Sequence, residues 1–275
     1  MIIDTHNHQA PEGRIAGTPL TGQHALVTGA TRGIGAAIAR TLGNLGADLT
    51  LIGRDRSGLD ARAAEIVSAS DVRVQIEIAN VSDAGEIRSA FDSGVRANGA
   101  VSILVNNAGS GKSAPFHKMD QDLWNFIIGV NLTGAFLCTQ QAIGGMLEAS
   151  YGRIINVAST AGLTGYEYVS AYCAAKHGVV GLTRSLALET ATKGITVNAV
   201  CPGYTETDLI HETIDNIVAK TGRSKEDARA ELTASNPQRR LVQPWEVAET
   251  VAWLALPSSA SITGQAVAIA GGEVM

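Results

Sequence analysis

Short apolar segments alternate with segments of helical periodicity from His24 to the end of the chain. The apolar segments are rich in Val, Ile and Leu and do not alternate with polar positions, as expected for strands covered on both faces. Intervening helices are typical of a parallel, doubly wound sheet. The pattern predicts an α/β fold with helices on both faces of seven parallel strands, at residues 24–29, 48–53, 73–80, 101–107, 152–159, 195–203 and 264–272.

The helical segments are predicted at residues 34–46, 57–69, 83–99, 120–149, 171–193 and 244–256. Asp83 and Glu86 have the spacing of a capping box at the start of the third segment. Residues 204–240 are polar with helical character and interrupt the alternation, so we expect a lid there. Residues 1–20 show no sustained period and contain Pro and Gly. The sequence therefore predicts an N-terminal extension, 1–20, ahead of a single domain, 21–275.

Composition and charge narrow the class of protein. The 275 residues include 30 Gly and carry a formal net charge of −5. This charge argues against a broad nucleic-acid surface, and no uninterrupted apolar run reaches the roughly 18 residues of a membrane helix. Three widely spaced cysteines, Cys138, Cys173 and Cys201, predict reduced core thiols. We expect a soluble, cytoplasmic protein with no nucleic-acid or membrane partner.

A glycine-rich segment, Thr28–Gly35, follows the first predicted strand and opens the first helix. Glycines in this position permit a tight turn and a close approach of the backbone to a pyrophosphate. The free N–H groups and the dipole at the helix start favour an anion. An ordinary strand–helix turn is the simpler alternative, and the strand before and helix after favour a dinucleotide site.

A tyrosine and a lysine, Tyr172 and Lys176, are four residues apart in a predicted helix and therefore share one face. A free phenol titrates near pH 10, and an ammonium one turn away would lower that pKa. A surface pair has the same spacing. Ser159 lies 13 residues before Tyr172, at the carboxyl end of the fifth strand, where such sheets bind ligands. The three residues are candidates for acid–base chemistry.

With its TGxxxGxG spacing, the sequence resembles the classical short-chain dehydrogenase/reductase family. The NNAG segment of that family is matched at Asn106–Gly109, and its PG turn at Pro202-Gly203. The resemblance covers about residues 21–275. It implies a Rossmann-type fold and an NAD(P)-dependent enzyme that interconverts a ketone and a secondary alcohol by hydride transfer.

The resemblance also implies the roles of four residues. Ser159 would polarise the substrate carbonyl, and Tyr172 would give the proton in reduction or take it in oxidation. Lys176 would lower the pKa of Tyr172 and bind the nicotinamide ribose. Asn131 would hold a water that links Lys176 to solvent.

By the same resemblance, the cofactor would be bound along the matched motifs. Asn80 stands where the family often has Asp, and its amide can still accept and donate near adenine. Thr207 has a second interpretation, as a cap of the lid helix. The predicted cofactor-binding residues are Gly29, Thr31, Arg32, Gly33, Ile34, Gly35, Arg54, Asn80, Val81, Asn107, Ala108, Gly109, Tyr172, Lys176, Pro202, Gly203, Thr205 and Thr207.

Two arginines bear on the choice between NADP(H) and NAD(H). Members of the family that use NAD usually have an acid at the end of the second strand, whereas this strand ends in Gly53-Arg54. Arg32 and Arg54 could pair with a 2′-phosphate because a guanidinium matches phosphate oxygens. Both could instead be solvated, with Asp55 reaching a ribose. The sequence favours NADP(H) over NAD(H).

Two further stretches, Gly152–Gly162 and Lys176–Gly203, resemble the 3-oxoacyl thioester reductases, including polyketide ketoreductases. The resemblance implies a 3-oxoacyl thioester reductase or 3-hydroxyacyl dehydrogenase acting on a CoA or ACP substrate, with a dehydrogenase of secondary alcohols or cyclic ketones as the alternative. Tyr166, Tyr168 and Tyr204 are predicted to line the substrate pocket. The resemblance also implies a homotetramer, in which the helices near 120–149 and 171–193 pair across a dimer and the C-terminal strand region completes the tetramer.

The lid contains basic residues that could attract a phosphate of CoA or phosphopantetheine, although nearby acids could leave them as an ordinary solvated face. They are Lys220, Arg223, Lys225, Arg229, Arg239 and Arg240.

Two other classes of protein fit the sequence less well. His6 and His8 form the HxH pattern that opens some metal-dependent amidohydrolases, but the other histidines do not complete a metal-ligand set. We therefore expect no metal. A cofactor-binding scaffold without turnover would normally lack one member of the Ser–Tyr–Lys set, which is complete here.

Overall fold

A single sheet of seven parallel strands forms the centre of the molecule. The computed structural model describes residues 17–275, apart from the side chains of residues 209, 216 and 220. The sheet order is β3-β2-β1-β4-β5-β6-β7, so the chain reverses direction across the sheet between β1 and β4. The predicted fold class is confirmed. The strands are β1 His24–Thr28, β2 Asp48–Gly53, β3 Val74–Ile78, β4 Ile103–Asn106, β5 Gly152–Val157, β6 Ile195–Pro202 and β7 Ala266–Ile269.

Helices cover both faces of the sheet. Over the described residues they are α1 Gly33–Asn44, α2 Arg56–Ala69, α3 Ala84–Asn98, α4 Gln121–Ile128, α5 Gly134–Ala149, α6 Ser170–Thr190, α7 Asp208–Thr221, α8 Lys225–Leu232 and α9 Pro244–Ala255. The Asp83 carboxylate caps α3 by accepting from Gly85 and Glu86 N–H groups. Glu86 accepts from the Asn80 N–H instead of completing the predicted capping box.

The sheet separates two hydrophobic cores. One core lies under α1, α2 and α9 and includes Leu42, Ile66 and Val251. The other lies under α3, α5 and α6 and includes Ile87 and Met146. Full burial of one such side chain contributes about 1.5–3 kcal/mol to the free energy of folding. Because there is a core on each face of the sheet, the apolar strands are stabilised from both sides.

The helix predicted at 120–149 is interrupted, which corrects the sequence interpretation. Between α4 and α5 lies a π turn, Gly129–Thr133, in which the Gly134 N–H bonds the carbonyl of Gly129, five residues earlier. The segments on either side of the turn are both apolar and helical in period, so periodicity predicted one continuous helix. Such turns are frequent at functional sites, and Asn131 lies in this one.

Within residues 17–275, one segment, Gln121–Ala149, is long and apolar enough on average to cross a membrane. It comprises α4, the π turn and α5. Its apolar side chains include Ile127, Cys138 and Met146, which are buried in the protein. Core helices of soluble proteins have the same composition.

The predicted lid forms α7 and α8, joined through Gly222 and capped by Ser224, whose hydroxyl accepts from the Asp227 N–H. Ile210 and Ile214, both on α7, are buried. Residues Thr205 and Val242 at the two ends of the lid form a parallel bridge. The lid is therefore anchored at its base.

The chain ahead of β1 enters the fold at Leu20, which is buried and whose N–H donates to the carbonyl of Leu45. Packing of the domain therefore includes Leu20, at the end of the predicted extension. His6 and His8 lie outside the described residues, so the prediction that they bind no metal is not tested. Within residues 17–275, no cluster of three or more His, Cys, Asp or Glu side chains could hold a metal ion.

Candidate active site

A cavity of about 820 Å³ opens at the carboxyl edge of the sheet, beside the reversal between β1 and β4. This is the place where doubly wound sheets bind ligands, because the flanking loops diverge there. The predicted site residues that line it are Ile34, Asn107, Gly109, Ser159, Tyr166, Tyr168, Tyr172, Lys176, Pro202, Gly203, Tyr204, Thr205 and Thr207.

The structure brings together Ser159, Tyr172 and Lys176. Ser159 follows β5, and its hydroxyl is hydrogen-bonded to the phenol of Tyr172 on α6. Lys176 lies one turn further along α6, with Nζ 5.5 Å from the centre of the Tyr172 ring. Its ammonium donates to the Val157 carbonyl at 2.8 Å. The three side chains therefore converge on one wall of the cavity.

Burial dominates the electrostatics of this group. It raises the pKa of Tyr172 to about 12, against the hydrogen bond from Ser159, which favours phenolate. It lowers the pKa of Lys176 to about 8, because a buried ammonium loses its hydration. The expected lowering of the Tyr172 pKa by Lys176 is thus not produced by the protein groups alone, since burial penalises both charged forms.

Asn131 is buried, and its side-chain amide forms hydrogen bonds with backbone groups. It donates to the carbonyls of Ser110 and Ile127, both at 2.9 Å, and accepts from the Ser110 N–H. A Cβ on Gly109 would lie 2.9 Å from Asn131 Oδ1 and 3.7 Å from Lys176 Nζ. Gly109 therefore separates the amide from the lysine, and the predicted water at Asn131 stays a prediction.

The glycine-rich loop is built by close backbone contacts. A Cβ at Gly35 would lie 2.2 Å from the Gly29 carbonyl oxygen, so only glycine fits without a shift. The Asn107 amide donates to the carbonyls of Thr28 and Gly29. The Thr28 hydroxyl accepts from the N–H groups of Asn107 and Ala108, at 3.0 Å each. Thr28 was absent from our predicted site, although its side chain joins the two motifs.

The two arginines predicted at the nucleotide site are exposed, and one faces the lid. Arg32 lies 3.6 Å from Asp208 and 3.7 Å from Glu212, both on α7. Arg54 follows β2 directly. The alternative ribose ligand, Asp55, accepts a hydrogen bond from the Ser57 hydroxyl at 2.9 Å.

The predicted adenine and carboxamide residues make mostly local contacts. The Asn80 side chain accepts from the Ser82 N–H, and Val81 is buried beside Gly134. Thr205 donates to the Gly203 carbonyl. Thr207 occupies the N-cap position of α7, as its second interpretation expected, and its carbonyl accepts from the N–H groups of Ile210 and His211. Its hydroxyl makes no cap bond and donates instead to the carbonyl of Thr205.

The predicted substrate tyrosines form one side of the cavity. Tyr166 and Tyr204 pack edge to face with ring centres 6.4 Å apart, and Tyr168 is exposed with a positive φ of 65°. The Tyr166 hydroxyl lies 2.8 Å from Thr160 Oγ1 and 2.8 Å from Glu273 Oε1. Thr160 and Glu273 were not among the predicted site residues. Glu273 could not be predicted from local spacing, because it reaches the site from the end of the chain.

Several basic side chains of the lid are paired with carboxylates. Of the acids expected to offset this face, Glu226, Asp227 and Glu231, only Glu231 is among the partners. These pairs are Arg223–Glu231, Lys225–Asp215, Arg229–Glu206 and Arg240–Glu246. Arg239 instead donates to the Ala234 carbonyl. The side chain of residue 220 lies outside the described part.

The cysteines behave as predicted core residues at two positions. Cys138 and Cys201 are buried free thiols, and burial raises their pKa values to about 12 and about 11. Both thiols therefore stay protonated and unreactive near neutral pH. Cys173 is a half-buried free thiol next to Tyr172.

Comparison with known proteins agrees with this geometry. The short chain dehydrogenase family profile matches residues 23–218. A putative ketoacyl reductase of Streptomyces coelicolor is 42% identical over 250 residues, which cover 90% of this chain and 95% of that protein. D-beta-hydroxybutyrate dehydrogenase of Cupriavidus necator is 40% identical over 257 residues, covering 93% and 99%.

Two solved structures share the fold. An actinorhodin polyketide ketoreductase variant with NADPH superposes with a TM-score of 0.88 at 41% identity, over 94% of this chain and 99% of that one. Levodione reductase gives a TM-score of 0.87 at 30% identity, over 92% and 98%. The chain thus belongs to the short-chain dehydrogenase family, and it is an NAD(P)-dependent oxidoreductase that interconverts keto and hydroxyl groups.

Proposed function

We propose that this protein reduces the 3-keto group of a 3-oxoacyl thioester, carried by CoA or an acyl carrier protein, with NADP(H). The convergence of Ser159, Tyr172 and Lys176 on one wall of the cavity carries the proposal. Relatives named 3-oxoacyl-[acyl-carrier-protein] reductase support the substrate class, including one from Vibrio harveyi that is 39% identical over 257 residues.

The protein groups divide the work of reduction. Ser159 donates to the substrate carbonyl oxygen and orients it toward Tyr172. Tyr172, which burial keeps protonated, transfers its proton to that oxygen as the carbonyl carbon gains hydride. Lys176 holds positive charge beside the phenolate that remains, which stabilises it. The bound nicotinamide supplies the hydride in reduction and accepts it in oxidation.

The residues at the glycine-rich loop fit a dinucleotide. The loop precedes the N-terminus of α1, where free N–H groups favour a phosphate. The missing Cβ atoms of Gly29, Gly33 and Gly35 let the backbone turn tightly. The exposed guanidiniums of Arg32 and Arg54 supply the positive charge that a 2′-phosphate requires, which favours NADP(H).

A cyclic ketone is the second candidate substrate, because levodione reductase shares the fold. The edge-to-face pair of Tyr166 and Tyr204 offers an apolar wall to a ring. An acyl thioester would use the open mouth of the same cavity.

The deciding experiment compares acetoacetyl-CoA with cyclohexanone, each with NADPH, by following NADPH absorbance. We expect kcat/KM to be higher for acetoacetyl-CoA. Tyr172→Phe serves as the control for chemistry: it removes the proton donor and should abolish turnover while NADPH still quenches intrinsic fluorescence. A higher kcat/KM for cyclohexanone would favour the second candidate, and NADPH binding with silence toward both ketones would favour a scaffold.

We also infer a cytoplasmic homotetramer. Large apolar side chains are exposed on α5, α6 and α9, including Phe136, Leu188 and Trp253. Leu188 is 82% exposed, which is unfavourable for a leucine in water and favours burial by another copy. Light scattering coupled to gel filtration should give four times the 28.5 kDa chain mass, and a monomer mass would refute the assembly.

A further inference from the structure

The end of the chain returns to the cavity after β7. Two glycines with positive φ, Gly271 at 59° and Gly272 at 92°, turn the backbone away from the strand direction. A Cβ at Gly271 would lie 2.2 Å from Oδ1 of Asn236, which is buried at the end of the lid. The tail therefore packs directly on the lid, and the next residue is Glu273.

The Glu273 carboxylate joins three parts of the site. Its Oε1 accepts from the Tyr166 hydroxyl at 2.8 Å and from the Ser235 hydroxyl at 2.9 Å. Its Oε2 lies 3.0 Å from the point that a Cβ on Gly203 would occupy. One carboxylate thus contacts the loop between Ser159 and Tyr172, the lid, and the turn after β6.

Tyr166 lines the substrate cavity, as do Gly203 and Thr160, whereas Glu273 itself lies behind this wall. Its hydroxyl is also 2.8 Å from Thr160 Oγ1, and Thr160 is the buried neighbour of Ser159. Burial together with Glu273 raises the pKa of Tyr166, so the phenol remains protonated and donates to the carboxylate. A hydrogen bond to a charged acceptor is about twice as strong as a neutral one, and it restricts the ring.

We propose that Glu273 is a positioning residue that holds Tyr166 as a specificity-determining wall of the substrate cavity and ties it to the lid through Ser235. The inference deepens the proposed ketone reduction and rests on it. Glu273 touches neither the reacting atoms nor the glycine-rich loop. It lies beside Gly203, a predicted cofactor residue, but its hydrogen bonds run to Tyr166 and Ser235, so its effect should fall on substrate binding.

The test compares Glu273→Ala, Glu273→Gln and Tyr166→Phe with the wild type. In Glu273→Ala the KM for acetoacetyl-CoA should rise about tenfold, the loss expected for one charge-assisted hydrogen bond, with an unchanged Kd for NADPH by fluorescence. Glu273→Gln keeps an oxygen acceptor and should return KM to within about threefold of wild type. Glu226→Ala, which removes an exposed carboxylate of α8, is the matched control and should change neither constant.

A double variant separates positioning from a merely structural role. If Glu273 acts through the Tyr166 hydroxyl, Glu273→Ala combined with Tyr166→Phe should raise KM little beyond the larger single effect. Fully additive effects, or a Kd for NADPH that rises with KM, would overturn the proposal. A wild type that reduces neither ketone would instead refute the proposed function. An active wild type with an unchanged KM in Glu273→Ala would overturn the positioning role alone and leave the proposed function standing.

Discussion

At the residue scale, the chemistry depends on what burial does to two charges. Tyr172 and Lys176 share a helix face, and their spacing was readable from the sequence. Their pKa values were not, because desolvation depends on what surrounds both groups in the folded chain. Burial raises the pKa of the Tyr172 phenol to about 12 and lowers the pKa of the Lys176 ammonium to about 8. Of the two groups, it is therefore the lysine that titrates near neutral pH.

We therefore expect the reduction rate to fall as the pH rises through about 8, where Lys176 loses its proton. Tyr172 keeps its proton to about 12 and does not account for a loss at pH 8. The measurement is the pH profile of kcat/KM with NADPH. Lys176→Arg cannot lose its charge in this range, so its residual activity should lack the fall near pH 8. A flat wild-type profile to pH 10 would contradict the assignment.

Cofactor preference is also a residue-scale property. Arg54→Ala should lower kcat/KM for NADPH by roughly 10- to 100-fold and leave that for NADH unchanged, because hydrogen bonds to charged groups contribute about 1.5–3 kcal/mol. The matched control is Arg56→Ala, which removes an exposed arginine at the start of α2. An equal loss of kcat/KM with NADPH and with NADH would show that Arg54 does not bind a 2′-phosphate.

At the element scale, the site depends on how closely the loops approach one another. The apolar segments located the strands well, because strands buried on both faces are continuous apolar runs. The π turn at Gly129–Thr133 was not predicted, since the apolar helical segments on either side of it resemble one continuous helix. The hydrogen bonds from the Asn107 amide to the glycine-rich loop were also not predicted, because they join segments about 80 residues apart.

Gly35→Ala tests the tight packing of the glycine-rich loop. The new Cβ would lie 2.2 Å from the Gly29 carbonyl oxygen and 2.4 Å from Asn107 Nδ2, so the loop must shift. We expect the Kd for NADPH to rise more than about tenfold and the free energy of unfolding to fall by about 1–3 kcal/mol. The control, Gly144→Ala, lies in α5 with nothing within 4 Å and should not destabilise the protein. Wild-type NADPH affinity in Gly35→Ala would refute the role of the loop.

At the scale of the whole molecule, pairing between distant segments sets the dependence of stability on pH. His24 in β1 is buried between the Gly99 carbonyl and the Thr50 hydroxyl, each at 2.8 Å. Burial lowers its pKa below the usual 6.5, outweighing the Gly99 hydrogen bond and the nearby Asp48, which raise it. Burial in the native state therefore favours the neutral imidazole.

We expect the free energy of unfolding to fall as the pH drops below about 6.5. In this range His24 binds a proton more readily in the unfolded chain than in the native state, which favours unfolding. Urea unfolding at pH 7.5 and 5.0 measures the loss. His24→Gln should show a smaller loss between the two pH values than the wild type, whereas His177→Gln, at an exposed histidine on α6, should not alter it. An unchanged loss in His24→Gln would exclude His24 as the cause.

The sequence by itself determined the doubly wound sheet, the position of the glycine-rich loop and the spacing of Ser159, Tyr172 and Lys176. Each depends on local periodicity or spacing, which the chain displays directly. Only the tertiary structure decided the pKa values, the contact of Arg32 with α7 and the arrival of Glu273 beside Tyr166. The physical reason is the same for all three: burial, charge pairing and close approach arise between segments far apart in the chain, so they exist only after the chain has folded.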